Sequence, residues 1–267
     1  MLTASADLDF VRAQGAQMGA DMRYEEMRIE GRNAVIEAIR SGRPIDRLYV
    51  LERCQDGPLL TIKSLAAKKN VPVQYVSGQR LRQMSETGRH QGVIAYAAAY
   101  EYAQVEDMLA LAASRNEAPF LFLLDNIEDP HNLGAIIRTA NLAGAHGVII
   151  PKNRAVGLTA TVARTSAGAL NYTPVARVTN LVQTIKALKE KGMWFVCADM
   201  DGERMYDLNL TGSIGLVIGN EGEGVGRLVK EACDFTAAIP MKGEIDSLNA
   251  SVAAGVLAYE IVRQRLG

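Results

Sequence analysis

The sequence predicts an α/β protein, in which a mainly parallel sheet follows a smaller α/β module. Short apolar runs alternate with helical stretches along the chain, and those of the second half are almost continuously apolar. Such strands belong to parallel sheets that helices cover on both faces. With 267 residues, 48% of them hydrophobic and 22% charged, the chain is long enough for two modules with buried cores.

The first module is predicted over residues 27–100. Residues 1–26 have weak periodicity, and we expect them to form a mobile or partly helical N-terminal extension. Residues 101–118, which are polar and rich in alanine, are predicted to form a helical linker. Within the module, apolar spacing predicts helices over 33–39, 59–69 and 81–86 and strands over 47–51, 71–76 and 92–97.

The second module is predicted over residues 119–267. In open α/β sheets, ligands bind where loops leave the carboxyl ends of the strands. We therefore expect the chemistry in the loops that follow Leu124, Ile218 and Ile239. The pattern predicts strands over 120–124, 147–150, 172–175, 194–198, 215–218 and 235–239 and helices over 133–143, 160–167, 181–191 and 248–265.

The net charge of −1 conceals an asymmetry between the modules. Residues 27–100 contain 12 Lys and Arg against 6 Asp and Glu, whereas residues 101–267 contain 15 against 19. A basic module beside an acidic one is typical of an attachment that binds a polyanion. Charge alone fits a solubilising surface equally well, so it does not decide between the two.

Other features favour a cytoplasmic protein without a membrane span. No apolar run approaches the roughly 20 residues that a membrane helix needs. The N-terminus lacks the basic region and apolar core of a secretory signal. Cys54, Cys197 and Cys233 are scattered without the spacing of a metal or redox motif, which is typical of idle thiols in a reducing compartment.

The loop after Leu124 leads into a helix with two polar residues, Asn132 and Arg138. Asn132 can cap that helix, which is the ordinary role of an Asn at a helix start. Arg138 lies six residues further, almost two turns, and is expected on roughly the same side of the helix. An Arg among apolar neighbours is costly to bury unpaired, so we expect either a structural ion pair or an anion-binding role toward phosphate.

The other two loops are rich in glycine and polar residues. After Ile218, the segment 219–226 has three glycines besides Gly219, which allow close backbone approach to a flat ligand. It is neither a Walker A loop nor a dinucleotide fingerprint, and its acidic Glu221 and Glu223 argue against phosphate binding. After Ile239, the loop reaches Ser247, a possible N-cap of the last helix, and Asn249.

Together, these loops resemble the three signature motifs of one methyltransferase family. Asn132-x-Gly134-x-x-x-Arg138, Gly219-Asn-Glu221-Gly and the segment 240–251, Pro-Met-x-Gly-x-x-x-Ser-Leu-Asn-x-Ser, resemble those of the SpoU (TrmH-like) branch of the SPOUT superfamily, in the same order. Gly31-Arg-Asn-Ala-Val and His90-Gln-Gly92-Val-Ile-Ala resemble the ribosomal-protein-like RNA-binding domain of RlmB-type enzymes, which methylate a guanosine of 23S rRNA.

The resemblance implies a parallel sheet with a C-terminal trefoil knot, a rare exception to unknotted topology. It implies S-adenosylmethionine as methyl donor, contacted by Gly219, Ile239 and Leu248, and a homodimer with the active site near the subunit interface. It further implies methyl transfer to a ribose 2′-hydroxyl without a metal, since the sulfonium is already activated. The implied catalytic residues are Arg138, Asn132, Glu221, Ser247 and Asn249.

Arg138 is expected to remain cationic, because a guanidinium is effectively never deprotonated in proteins. We expect it to grip a neighbouring phosphate and stabilise negative charge that develops on the 2′-oxygen. His131, just before Asn132, is the weaker candidate for a base.

Three alternatives stay open from the sequence. The same chemistry on tRNA or another rRNA site is one, although the basic front module favours structured rRNA. A ribosome-assembly factor that binds RNA without catalysis is the second, and the retained Arg138, Glu221 and Asn249 argue against it. A nicotinamide-linked enzyme is the third, and the missing GxGxxG run after the first strand of the second module argues against it.

Overall fold

The computed structural model describes residues 27–52, 56–98, 100–245 and 247–267. The predicted N-terminal extension and Cys54 therefore lie outside the described residues. The described chain divides into two units. An N-terminal unit extends to Glu101 and includes 157–163, and a C-terminal unit consists of 102–156 and 164–267. Within the described parts of the chain, no helix is long and apolar enough to cross a membrane.

The N-terminal unit is built on a four-stranded mixed sheet with the strand order β1-β4-β2-β3. Strands β1 and β2 both pair antiparallel with β4, whereas β2 and β3 are parallel. Its elements are β1 (Met27–Glu30), α1 (Arg32–Arg40), β2 (Ile45–Leu51), α2 (Gly57–Lys68), β3 (Val73–Val76), α3 (Gly78–Met84) and β4 (Val93–Ala97).

Helices α1 and α2 cover one face of this sheet. Val35 and Ile39 from α1 and Ile62 from α2 are buried in one cluster with Leu48 and Val93 of the sheet. Apolar residues spaced three and four apart give each helix the face that packs there. The helices and the strands β2 to β4 of this unit follow the predicted order, but the sequence pattern misses β1.

The C-terminal unit is built on six parallel strands in the order β10-β8-β9-β5-β6-β7. The predicted fold class, a small α/β module followed by a mainly parallel sheet, is therefore confirmed. The remaining elements are α4 (Val105–Ser114), β5 (Phe120–Leu124), α5 (Pro130–Leu142), β6 (Gly147–Pro151), α6 (Ala160–Thr165), a 3-10 turn (Ala169–Asn171), β7 (Val175–Val178), α7 (Leu181–Lys189), β8 (Trp194–Arg204), β9 (Ile214–Ile218), α8 (Arg227–Ala232), β10 (Phe235–Ala238) and α9 (Ala250–Leu266).

The central strands of this sheet are fully buried. Every residue of β5 and of β9 is buried, as continuous apolar runs in a parallel sheet require. Helix α4, inside the segment predicted as a linker, contributes Met108 to the core cluster that contains Leu121 and Phe195. The boundaries of the predicted modules and linker stay a prediction.

Several predicted elements differ from the structure. The strand predicted over 172–175 is wrong, because Tyr172 is 75% exposed and β7 begins only at Val175, after a proline that lacks the N–H for a ladder bond. Strand β8 continues past Ala198 to Arg204, and the short helix α8 is not predicted at all. Each difference concerns the end of a strand or a short element, where apolar periodicity is least informative.

Candidate active site

Sheet register brings the first two predicted loops together. Leu124 at the end of β5 pairs with Ile218 at the end of β9, so both loops start side by side. The first residue of one loop, Asp125, is buried and its Oδ2 accepts a hydrogen bond of 2.8 Å from the Gly226 N–H. Asp125, which the sequence analysis does not single out, thus holds the far end of the glycine-rich loop.

The glycine-rich loop folds tightly back on itself. A Cβ atom on Gly219 would overlap the backbone of Gly224, so only glycine fits there. The Asn220 side chain accepts hydrogen bonds from the N–H groups of Gly222 and Glu223, at 3.0 and 2.6 Å. These contacts fix the loop backbone, which leaves Glu221 at its turn.

One side-chain network connects all three loops. Asn132 donates through Nδ2 to Glu221 Oε1 at 2.8 Å. Asn249 donates through Nδ2 to Asn132 Oδ1 at 3.0 Å and also to Glu221 Oε1. The structure therefore brings together Asn132, Glu221 and Asn249, which are up to 117 residues apart in sequence.

The N-cap residues of α5 and α9, the helices that contain or follow the two asparagines, differ from those predicted. Asp129, not Asn132, caps α5, because its side chain accepts from the His131 N–H at 2.9 Å while Pro130 occupies the first turn. Asn132 instead lies inside the helix, with a side chain free to reach Glu221. The possible N-cap role of Ser247 is likewise wrong.

Asn249 caps α9 in its place. Its Oδ1 accepts hydrogen bonds from the Ser251 N–H at 2.9 Å and from the Ser251 hydroxyl at 2.6 Å. The amide nitrogen of Asn249 is thereby turned toward Asn132 and Glu221. Ser247 is exposed two residues earlier in the loop.

Gly134, the glycine of the first motif, has a packing role. A Cβ atom at this position would overlap the Thr165 hydroxyl and side chain. Thr165 in turn donates from its hydroxyl to the Pro130 carbonyl at 3.3 Å. Close contact at the start of α5 thus explains why a glycine follows Asn132 by two residues.

Arg138 is exposed, in contrast to the buried Asn132, so the expectation that both lie on one side of α5 is wrong. Six residues turn a helix by about 240°, which separates the two side chains. Arg138 makes no hydrogen bond or ion pair with any residue that the structure describes. The structural ion pair considered from the sequence is therefore absent from the described residues. His131 is also exposed.

A cavity of about 280 Å³ opens beside the network. Gly219, Ile239 and Leu248, the three predicted cofactor contacts, all line it, as do Glu221 and Ser247. Its walls mix backbone of the glycine-rich loop with apolar side chains, which is typical of small-molecule sites. In the described part of the chain, no group of three or more His, Cys, Asp or Glu side chains could hold a metal ion.

The cavity also has an acidic lining that sequence reasoning misses in part. Asp199 from β8 lines it together with Glu221 and Glu223. Burial acts to raise the pKa of Asp199, but a hydrogen bond of 2.7 Å from Lys230 and one of 3.1 Å from the Asp201 N–H lower it overall. The ionised form of Asp199 is therefore favoured, and Lys230 balances its charge. The carboxylates of Glu221 and Glu223 are then the acidic groups of the lining that favour a cationic ligand.

Two family models match the chain. Residues 119–259 match the SpoU rRNA methylase family, and residues 28–103 match the RNA 2′-O ribose methyltransferase substrate-binding domain. The chain belongs to the SpoU methylase family. The predicted family, and with it the prediction of a methyltransferase, is confirmed. The SpoU fold also implies the C-terminal trefoil knot that the sequence resemblance predicts.

Individual relatives agree with this membership. The SpoU chain is 51% identical to the TrmH family tRNA/rRNA methyltransferase YacO of Bacillus subtilis over 88% of its length and 94% of the relative. It is 45% identical to a TrmH family tRNA/rRNA methyltransferase of Staphylococcus saprophyticus, over 90% and 97%.

Solved structures give the same family. The SpoU methyltransferase AviRb from Streptomyces viridochromogenes, in complex with S-adenosylmethionine, superposes with a TM-score of 0.57 at 26% identity and covers 92% of each chain. A TrmH/SpoU tRNA modifying enzyme of A. aeolicus superposes with a TM-score of 0.51 at 28% identity, over 56% of this chain and 77% of its own.

Proposed function

We propose that this SpoU methyltransferase transfers a methyl group from S-adenosylmethionine to the ribose 2′-hydroxyl of a guanosine in 23S rRNA. The observation that carries the proposal is the network of Asn132, Glu221 and Asn249 at the edge of the acidic cavity. It joins the three loops whose residues match the family motifs. S-Adenosylmethionine supplies a methyl group on an activated sulfonium when it is bound.

The residues of the cavity fit that methyl donor. S-Adenosylmethionine carries positive charge on its sulfonium and its ammonium group, and the carboxylates of Asp199, Glu221 and Glu223 line the cavity. The side chains of Ile239 and Leu248 offer apolar surface to an adenine ring. At Gly219, the absence of a side chain leaves the loop backbone open to the ligand.

Arg138 is the proposed catalytic residue. Its guanidinium is exposed and makes no ion pair within the described residues, so an RNA phosphate can bind it without displacing a protein carboxylate. There it stabilises the negative charge that develops on the 2′-oxygen as the hydroxyl proton passes to solvent water. An arginine does this as a permanent cation and takes no proton itself.

The remaining site residues act on the geometry of the ribose. Glu221 accepts hydrogen bonds from both Asn132 and Asn249 and so holds the three loops in one arrangement. Ser247, exposed at the cavity, orients the ribose together with Asn249. Preorganised groups of this kind cost no rearrangement when the transition state forms.

A homodimer is the proposed assembly. Leu142, one turn beyond Arg138 on α5, is 64% exposed, and Val252 and Tyr259 on α9 are 49% and 51% exposed. The two helices are neighbours, because Gly255 of α9 lies against Thr139 of α5. Apolar side chains exposed next to one another are typical of a subunit interface. A second copy seated there would lie beside Arg138.

The choice of rRNA as the proposed substrate rests on the N-terminal unit. Residues 27–100 carry 12 basic against 6 acidic residues, a balance that favours a large polyanion. The tRNA modifying relative of A. aeolicus matches only 56% of this chain. An rRNA substrate also implies that the reaction takes place in the cytoplasm.

Labelled methyl transfer tests the proposal. RNA from cells that lack the enzyme is incubated with S-adenosylmethionine carrying a labelled methyl group, separated by size and digested to nucleosides. We expect label in 23S rRNA as 2′-O-methylguanosine, lost with Arg138→Ala and kept with Arg204→Ala, an arginine with a 71% exposed side chain in an ion pair with Asp207.

The other outcomes separate the alternatives. Label in tRNA alone would retain the chemistry and contradict the 23S substrate. Absence of label from every RNA would contradict the enzymatic proposal and favour a binding factor for ribosome assembly.

A further inference from the structure

Helix α3 packs on one end of the second face of the N-terminal sheet. There, Leu81 of α3 packs on Val76 and Ile94, and the partly buried Tyr49, Leu51, Met84 and Tyr96 pack against these three residues. Helices α1 and α2 lie on the opposite face of the sheet.

Arginine and tyrosine side chains form a row across three strands beside this cluster. Arg28 on β1 and Arg47 on β2 are both in register with Tyr96 on β4, which lies between them. Tyr49 follows Arg47 by two residues and so points to the same face. All four side chains are half-buried. We call these four residues the Tyr–Arg face.

Direct contacts fix Arg28, Tyr49 and Tyr96 against one another. The Arg28 Nε donates to the Tyr96 hydroxyl at 3.2 Å, and its guanidinium lies 5.4 Å from the centre of the Tyr96 ring. The rings of Tyr49 and Tyr96 meet edge to face with centres 5.8 Å apart. The exposed Glu86 pairs with Arg28 at 2.6 Å, a contact that water or a phosphate can replace.

The chemistry of this face matches nucleic-acid bases better than a protein partner. Aromatic rings on an open sheet stack on unpaired bases, and neighbouring arginines bind the phosphates between them. A protein interface would be expected to centre on exposed apolar anchors. The Tyr–Arg face is instead aromatic and basic, within a unit of net positive charge. Paired bases inside a duplex have no free ring faces to offer.

We propose that the Tyr–Arg face binds unpaired bases of the RNA substrate, with Tyr49 and Tyr96 as stacking partners and Arg28 on the backbone. This inference rests on the proposed function, since it names the part of an RNA substrate that the enzyme recognises. The substrate would then be a loop, bulge or single strand beside the methylated ribose. A continuous duplex would not be a substrate.

Binding of short RNAs to the full chain tests this face. The affinity of Tyr49→Leu/Tyr96→Leu is compared with wild type by fluorescence anisotropy, for a mixed-sequence single strand of about 12 nucleotides and for its duplex. Leucine keeps apolar packing but cannot stack. We expect about tenfold weaker binding of the single strand and unchanged binding of the duplex. Tyr75→Leu is the matched control, because Tyr75 is 52% exposed on β3 but outside this face.

Cross-linking of the wild-type chain gives a readout that does not depend on how the variant folds. Single-stranded RNA containing 4-thiouridine is photo-cross-linked, and the attached peptides are identified by mass spectrometry. We expect attachment within β2 and β4. Cross-links confined to α1 and α2 would overturn the proposal, as would a co-purifying protein attached at the Tyr–Arg face. In the anisotropy experiment, wild-type affinity in a folded double variant would also overturn it.

Methyl transfer by the wild-type chain is measured in parallel. If methyl transfer occurs while the Tyr–Arg face proves dispensable for single-strand binding, the face proposal alone fails. If no RNA is methylated, the proposed function fails.

Discussion

The two units of this chain use similar parts for different tasks. In the C-terminal unit, six parallel strands carry their loops to one edge, where Asn132, Glu221 and Asn249 are fixed by mutual hydrogen bonds. In the N-terminal unit, one face of a mixed sheet carries a row of arginine and tyrosine side chains, in which Arg28 and Tyr96 lie side by side. The first arrangement suits a reaction with strict geometry, and the second suits recognition of a flexible polymer.

This contrast shows how each sheet positions its functional side chains. Loops at the ends of parallel strands converge because adjacent strands end together, as Leu124 and Ile218 do. An open sheet face offers instead a row of side chains about 5 Å apart, the spacing between strands. We therefore expect changes in the C-terminal site to act on the rate of methylation and changes on the N-terminal face to act on RNA binding.

The largest effect is expected at Arg138. Arg138→Ala should lower kcat by about 10²–10³-fold, because an electrostatic partner of the developing oxyanion is lost. Arg138→Lys keeps the charge but loses the planar fork, so its rate should lie between those of wild type and Arg138→Ala. Methyl transfer at saturating RNA measures both. A lysine variant as fast as wild type would contradict a role for the fork.

Removal of Glu221 should have the next largest effect. Glu221→Ala deprives both Asn132 and Asn249 of their shared acceptor, and we expect kcat/KM to fall by about 10²-fold. Glu221→Gln retains one acceptor oxygen and should lose less. The matched control is Glu231→Gln, in which an exposed glutamate paired with Arg227 is changed. Equal loss in the Glu221 and Glu231 variants would count against the network.

Gly219→Ala should weaken binding of the methyl donor rather than binding of the RNA. A Cβ atom there would overlap the backbone of Gly224, so the loop must open and the cavity change shape. We expect about tenfold weaker binding of S-adenosylmethionine by calorimetry. In the control Gly212→Ala, the added Cβ meets no atom within 4 Å, so its affinity should match wild type. Unchanged affinity in Gly219→Ala would exclude this loop from the donor site.

The smallest effect on methylation is expected from Glu30, which stabilises the N-terminal unit. Burial acts to raise the pKa of Glu30, but hydrogen bonds from the Ser85 and Thr87 hydroxyls and the Glu86 N–H lower it to about 2, from an ordinary 4.5. Because this group is partly open to solvent, we expect Glu30→Gln to cost only about 1–2 kcal/mol of unfolding free energy at pH 7.

The sign of the pH dependence follows from the lowered pKa. The folded state favours the ionised carboxylate, so the contribution of Glu30 is complete above pH 4.5 and is lost as the pH falls through about 2. Urea unfolding of wild type and Glu30→Gln should therefore differ at pH 7 and converge at acid pH. Glu37→Gln, with a 72% exposed side chain, should show little difference at either pH. A gap that widens in acid would refute this assignment.

Much of the fold follows from the sequence because apolar periodicity reports which residues are buried. The order of elements in the C-terminal unit and the loops after Leu124 and Ile218 are predicted on that basis. The residue that caps each helix is harder to predict. Asp129, which precedes a proline, caps α5 instead of Asn132, and Asn249 caps α9 instead of Ser247.

The remaining errors arise from tertiary structure. Arg138 is exposed although its neighbours in sequence are apolar, because the rotation of α5 against the sheet decides which side faces solvent. Asp125 and Asp199 gain their roles only through partners such as Gly226 and Lys230, which are far away in sequence. A single sequence contains no signal for such pairings beyond the strand ends themselves.

The most direct test of this division of labour is steady-state kinetics with RNA as the varied substrate. For Arg138→Ala, we predict a large fall in kcat with a KM for RNA close to that of wild type. For Tyr49→Leu/Tyr96→Leu, we predict a KM raised about tenfold with kcat nearly unchanged. A fall in kcat at saturating RNA in the tyrosine variant, with KM unchanged, would contradict the account.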